Sequence, residues 1–183
     1  AIWEQPVGAH QLRVAAHAGQ RAVLQYLAIP AAAQANPLHG GGVVDLDSDY
    51  AGLDLRLSGQ PSPAWQWTVG LNSEGQRQHR QGWENFLGPQ LGTRGRLRRD
   101  QDDTVWNLDG YAQLAWQPHP RWQWQAGLRH SRVQFTSRDR YINQANPDDS
   151  GAVAYHRSTP VAGFSLALAP GWRWHVAAGR GLE

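Results

Sequence analysis

The chain alternates. Along Trp106–Gln117 the even positions read Trp, Leu, Gly, Ala, Leu, Trp, while the odd ones read Asn, Asp, Tyr, Gln, Ala, Gln. Successive side chains of a strand point to opposite faces, so this segment is a two-faced β-strand. The next segment repeats the rule: Trp122, Trp124, Ala126 and Leu128 share one face, and Gln123, Gln125, Gly127 and Arg129 the other. Pro118-His119-Pro120-Arg121 separates the two as a tight polar turn, giving a hairpin. Leu53, Leu55 and Leu57 lead through Gly59–Pro63 to Trp65, Trp67, Val69 and Leu71. Ala162, Phe164, Leu166 and Leu168 lead through Pro170-Gly171 to Trp172, Trp174, Val176 and Ala178. A less regular hairpin opens the chain, with Leu12, Val14 and Ala16 before an expected turn at Ala18–Arg21 and a strand near Ala22–Ile29.

The pattern therefore predicts about eight strands in four hairpins. Their connections differ in length: the turns are short, whereas the links near residues 30–47, 74–103 and 136–153 are long and polar. Short turns at one end and long loops at the other are the outer-membrane barrel arrangement. Trp65, Trp67, Trp116, Trp122, Trp124, Trp172 and Trp174 all flank a short turn. They form the expected membrane-interface girdle, because the amphipathic indole favours the boundary between apolar and wet surroundings. A soluble β-sandwich or lipocalin-like barrel would turn the same face into a core instead. Asp54, Arg56, Asp109 and Arg129 sit on the polar face and should point into a wet lumen, since charge on the lipid side is costly.

Composition agrees with this pattern. Ten Trp accompany only three Phe, and charged residues make up 17% of the chain, fewer than in most soluble domains. The formal net charge of +2 gives no argument for nucleic acid. There is no Cys, which excludes disulfides and thiolate chemistry. The longest apolar run, Tyr26–Ala33, is too short for a membrane helix and is broken by Pro30. No secretory leader is recognisable at Ala1.

The most specific text closes the chain. Thr159-Pro160-Val161-Ala162-Gly163-Phe164 precedes a strand, a two-residue turn, a second strand and then Ala178-Gly179-Arg180-Gly181-Leu182-Glu183. This resembles the late barrel of TonB-dependent outer-membrane receptors, where a Thr/Ser-Pro-x-x-Gly strand start is followed by a Gly-Arg-Gly-Phe-Glu-like ending. The motif residues are Thr159, Pro160, Gly163, Gly179, Arg180, Gly181 and Glu183, with Leu182 replacing the usual aromatic. Asn146–Tyr155, with Asp148-Asp149-Ser150-Gly151, resembles the loop before that strand start.

The resemblance implies an all-β fold: an antiparallel transmembrane β-barrel of up-and-down hairpins, here about eight strands of a roughly 22-stranded barrel. It makes residues 1–183 a partial barrel domain, with no plug domain and no signal peptide. It implies energised uptake of a scarce ligand at the bacterial outer membrane. That ligand is a ferric siderophore or a similar anionic chelate or small cofactor such as pyrroloquinoline quinone. Coupling would run to the TonB–ExbB–ExbD complex through parts that this chain lacks, and lipopolysaccharide and outer-membrane lipid would surround the wall. The alternatives are a complete eight-stranded outer-membrane barrel with a structural or adhesive role, and the soluble ligand-binding barrel.

Nothing in the sequence points to catalysis, a resident metal or a bound cofactor. Eight His are scattered without ligand spacing. The long links are richer in Arg. Arg94, Arg96, Arg98, Arg138 and Arg140 are candidates for attracting an anionic ligand, because the planar guanidinium matches carboxylate and phosphate oxygens. The competing readings are contacts to lipopolysaccharide phosphates and ion pairs with the nearby Asp cluster.

Overall fold

The computed structural model describes residues 1–181. Eight strands form one antiparallel sheet: β1 (Ile2–Val7), β2 (His10–Tyr26), β3 (Val43–Ser62), β4 (Trp65–Trp83), β7 (Leu97–His119), β8 (Trp122–Asp139), β9 (Gly151–Ala169) and β10 (Trp172–Gly179). A small separate hairpin, β5 (Phe86–Leu87) and β6 (Gln90–Leu91), is inserted between β4 and β7. Every strand of the large sheet pairs with its neighbours in the sheet's chain order, β1-β2-β3-β4-β7-β8-β9-β10. The sheet is thus an up-and-down meander. It stays open, because β1 and β10 do not pair with each other.

The short turns lie where proline and glycine permit them. β1 turns into β2 at Gly8-Ala9, where Gly8 takes φ +61°, and β9 turns into β10 at Pro170-Gly171, where Gly171 takes φ +80°. The expected turn at Ala18–Arg21 does not exist: β2 runs straight through it, paired with β3 from His10↔Gly59 to Tyr26↔Val43. Gly19 is there for a different reason. A Cβ on it would lie 2.3 Å from the Tyr50 hydroxyl oxygen, so the missing side chain makes room for the cross-strand ring. The strand that does precede β2 is Ile2–Val7, which the alternation had not disclosed.

The strands are also longer than the alternation predicts. β4 continues to Trp83, β7 begins at Leu97 and β8 continues to Asp139. Large parts of the predicted links 74–103 and 136–153 are therefore strand, not loop. Beyond the apolar stretch the indole-bearing face turns polar as well, so no alternation betrays the strand, yet the ladder remains paired as far as Trp83↔Leu97 and Gln101↔Asp139.

Among the described residues Val43 is the only apolar side chain that is buried. A soluble domain of this size is held by a contiguous apolar core, which is absent here. The cohesion visible in this sheet is its backbone ladder, and the apolar area faces outward.

Candidate functional site

The register sorts the side chains into two faces. Trp65, Trp116 and Trp124 are direct cross-strand partners. The rings of Trp65 and Trp116 stack at 5.3 Å. Trp124 then meets Phe164 at 4.5 Å, and Phe164 meets Trp174 at 6.4 Å. An aromatic ladder thus crosses five strands beside the short turns. Trp67 joins this face against His10 at 5.2 Å, Trp122 lies beside His119 at 5.9 Å, and Trp172 sits exposed at the β9–β10 turn. Above the ladder follow Val69, Leu71, Leu114, Ala112 and Leu108, with Trp106 at the far end of the stretch on β7.

The opposite face is polar. One register row reads Asp54, Asn72, Asp109, Ser131 and Arg157. Arg13 bridges Glu4 and Asp54, at 3.2 Å to each. Asp109, only 2% exposed, accepts from Arg129 and, at 3.0 Å, from Asn107. Three of the four charges expected in the lumen are therefore ion-paired on this face; Arg56 has no carboxylate partner among the described residues. The grooves along the sheet open on this side. One of about 760 Å³ is lined by Asp54, Asn72, Glu74, Tyr111 and Arg129 among others.

The candidate arginines lie toward the long-loop end, and most already have a carboxylate. Arg94 reaches Asp45 at 2.6 Å and covers the Trp83 ring. Arg96 holds Glu84 through two bonds of 3.1 and 2.9 Å, and Arg98 donates to the same carboxylate at 3.0 Å and to the Asn36 carbonyl. The Glu84 side chain is 3% exposed. Hydrogen bonding from Arg96, then from Arg98, holds its carboxyl below the ordinary range, against the opposing effect of burial. Arg140 pairs with Asp102, which also receives His79 Nδ1 at 2.7 Å. The Asp102 carboxyl is likewise lowered, first by His79 and then by Arg140. Arg138 stands opposite Asp102 in the register without an ion pair among the described residues. So Arg96 and Arg98 are brought together on Glu84, and Arg138 and Arg140 around Asp102. The five do not converge on one open site. By register Asp102, Arg138 and Asp45 share the face of the indoles, not the polar one.

The sequence did not disclose the polar knot that fixes these loops. Gln34, fully buried, donates to the Asn85 side chain at 2.7 Å and to the Ile29 carbonyl at 2.9 Å. Asn85 donates in turn to the carbonyls of Leu27 and Ile29. Gln34 and Asn85 are far apart in sequence and sit in no repeating pattern, so only the fold joins them.

The closing motif has a structural place. Pro160 is opposite Leu128 in β9, and its carbonyl accepts the Arg180 amide at 3.1 Å. Thr159 Oγ1 donates to the Arg129 carbonyl at 3.4 Å. Gly179 faces Val161 across β9–β10, where a Cβ would lie 3.0 Å from the Pro160 carbonyl oxygen. Gly163 pairs with Ala177 and Gln125. Gly181 is the last described residue, and Leu182 and Glu183 lie outside the described residues.

The model of the TonB dependent receptor-like β-barrel matches residues 10–183. The chain belongs to that family. Its fold is shared with solved uptake proteins at low identity. The ferric citrate transporter FecA in its unliganded form superposes with a TM-score of 0.75 at 14% identity, over 96% of this chain and 25% of its own. The ferric yersiniabactin uptake receptor FyuA from Yersinia pestis gives 0.69 at 15%, over 95% and 26%. The copper transporter OprC gives 0.64 at 13%, over 93% and 28%. The chain thus spans about a quarter of the length of these structures. This TonB-dependent receptor barrel segment is a stretch of barrel sheet, and the solved proteins whose fold it shares are named as an uptake receptor and as transporters.

Proposed function

We propose that this chain is part of the outer-membrane wall of a receptor that takes up a scarce metal chelate, of the siderophore kind, using energy relayed by the TonB–ExbB–ExbD complex. The observation that carries the proposal is the two-faced sheet without an apolar core. On β7 the indole-bearing face is bracketed by Trp106 and Trp116. Ten strand steps at about 3.4 Å give about 34 Å along the strand, or about 24 Å of depth at a tilt near 45°. That matches the apolar band of about 25 Å that such barrels present to lipid. The Trp ladder then lies at one interface and Trp106 at the other, and the ion pairs of Arg13 and Asp109 line the interior. The chelate is proposed because two of the similar structures are named for ferric citrate and ferric yersiniabactin.

The candidate arginines support a different part of the picture. Arg138, without an ion pair among the described residues, stands on the lipid-side face above the band, where its guanidinium suits contact with lipopolysaccharide phosphates. Two experiments test the proposal on the full-length receptor. In vesicles with lipids brominated at stated depths, Trp116 and Trp124 fluorescence should be quenched most by bromines near the headgroups. Absence of quenching at every depth would place the indoles away from lipid and remove the wall. Cells deleted for the receptor should lose accumulation of an iron-radiolabelled chelate under iron limitation; unchanged accumulation across a chelate panel would refute uptake.

A further inference from the structure

The polar face is not polar throughout. Toward the long-loop end two register rows on it read Val105, Phe135, Val153 and Asn107, Val133, Tyr155. These belong to the side that carries Asp109 and Arg129, opposite the indoles. Phe135 is 45% exposed and Tyr155 58%, and their rings meet edge-to-face at 6.3 Å. Phe135 lines a groove of about 610 Å³ together with Gln76, Gln78, Asp103, Val105 and Val153, and Tyr155 extends its apolar edge through the contact with Phe135. Exposed apolar surface on a face that otherwise contacts water marks a binding site more often than chance.

Charge narrows what the groove takes. No arginine lines it, whereas Asp103 and Asp149 do. The nearest arginines of this face stand off the lining: Arg80 and Arg157 in neighbouring rows, and Arg21 in the row of Gln78 and Asp103 but two strands beyond Gln78. Arg94, Arg96, Arg98 and Arg140 are held by carboxylates elsewhere. We infer that this groove is the ligand-docking patch of the wall, and that it takes a chelate with an apolar or aromatic body and no net negative charge. The rings and valines supply stacking area. Gln76 and Gln78 supply adaptable hydrogen bonds, and the two carboxylates disfavour an anion. The inference rests on the uptake reading and names its substrate class.

The test uses the full-length receptor in detergent, with three iron-radiolabelled probes: a neutral ferric trihydroxamate, the same chelate bearing phenyl substituents, and ferric citrate. Equilibrium dialysis should rank them phenyl-bearing chelate, plain trihydroxamate, ferric citrate. Phe135→Ser with Tyr155→Ser should weaken the phenyl-bearing probe about tenfold or more, and Phe135→Leu should retain most of its binding. Asp103→Arg should raise ferric citrate affinity. Heat-modifiable gel migration reports that each variant is folded. Ferric citrate binding as tightly as the phenyl-bearing probe, or a change under twofold in the Ser variants, overturns the inference. Whole-cell accumulation separates the two levels. Uptake that survives intact in the Ser variants removes the docking patch alone, whereas no uptake of any chelate by the wild type removes the uptake reading beneath it.

Discussion

Glu84→Gln is the most informative single perturbation, because one carboxylate ties two arginines and, through Arg98, a second loop. The Glu84 side chain is 3% exposed and that of Arg98 9%, whereas that of Arg96 is 77% exposed. The exposed pair contributes little, about 0–1 kcal/mol. The buried pair dominates: removing one partner strands a charge and costs about 3–5 kcal/mol. The loss should appear locally, since Glu84 N–H bonds to the Arg96 carbonyl at 2.9 Å and Gly95 N–H to the Glu84 carbonyl at 2.8 Å, outside the large sheet. A cost of ~3 kcal/mol raises the open population of this loop on the order of 100-fold. Trypsin cleavage after Arg94 and Arg96 in the folded receptor should accelerate by about that factor. The barrel's heat-modifiable migration should stay unchanged. Acceleration below about fivefold would refute the assignment of the cost to the buried pair. The pH dependence has a fixed sign. A carboxyl lowered in the folded state contributes stability that is complete above its ordinary value of 4.5 and is lost as pH falls through the lower folded value. Amide exchange corrected for intrinsic rate should therefore be flat above that value and rise below it, and Glu84→Gln should abolish the rise.

Three further outcomes are expected. Leu71→Arg should destabilise the folded receptor in liposomes by about 2–4 kcal/mol in urea unfolding, and Asn72→Arg, one residue on and beside Asp54 and Asp109, by under about 1 kcal/mol; equal effects would contradict the two-faced assignment. Arg129→Gln should cost about 3 kcal/mol in the same assay, the low end for stranding a buried charge because the Arg129 side chain is itself half exposed, since Asp109 is left with only neutral partners such as Asn107. Gly41→Ala should cost at least ~2 kcal/mol of loop stability by amide exchange at Gly42, since Gly41 takes φ +88° and a Cβ would lie 2.2 Å from the Trp83 carbonyl oxygen.

Fold class and hairpin order were legible because one face of each strand is apolar where it crosses the band. Leu53, Leu55 and Leu57, or Trp65 and Trp67, betray a strand by contrast with their neighbours. Contrast vanishes in Arg99–Asp103, which is polar on both sides, so this part of β7 read as loop although each of its residues pairs with β4. Gly19 misled in the opposite direction: a glycine between Ala and Gln reads as a turn until Tyr50 is placed over it. The arginines were visible as residues, but their partners were not. Asp45 lies in β3 and Arg94 beyond β6, and only the assembled sheet shows that the pair exists. Val105, Phe135 and Val153 are single apolar residues in separate strands; register alone makes them a surface.

The length of β7 has a consequence for how the outside is reached. Leu97–Val105 continues above Trp106 for about 30 Å of strand, or about 20 Å of height at the tilt used above. β3, β4 and β8 rise alongside it in register. The knot of Gln34, Asn85 and Glu84 is therefore carried on a stiff palisade that stands clear of the lipid headgroups. In the wall proposed above, anything arriving from the medium would meet this raised rim first, at a height where the outer-leaflet sugars, rather than the bilayer, would be the neighbour.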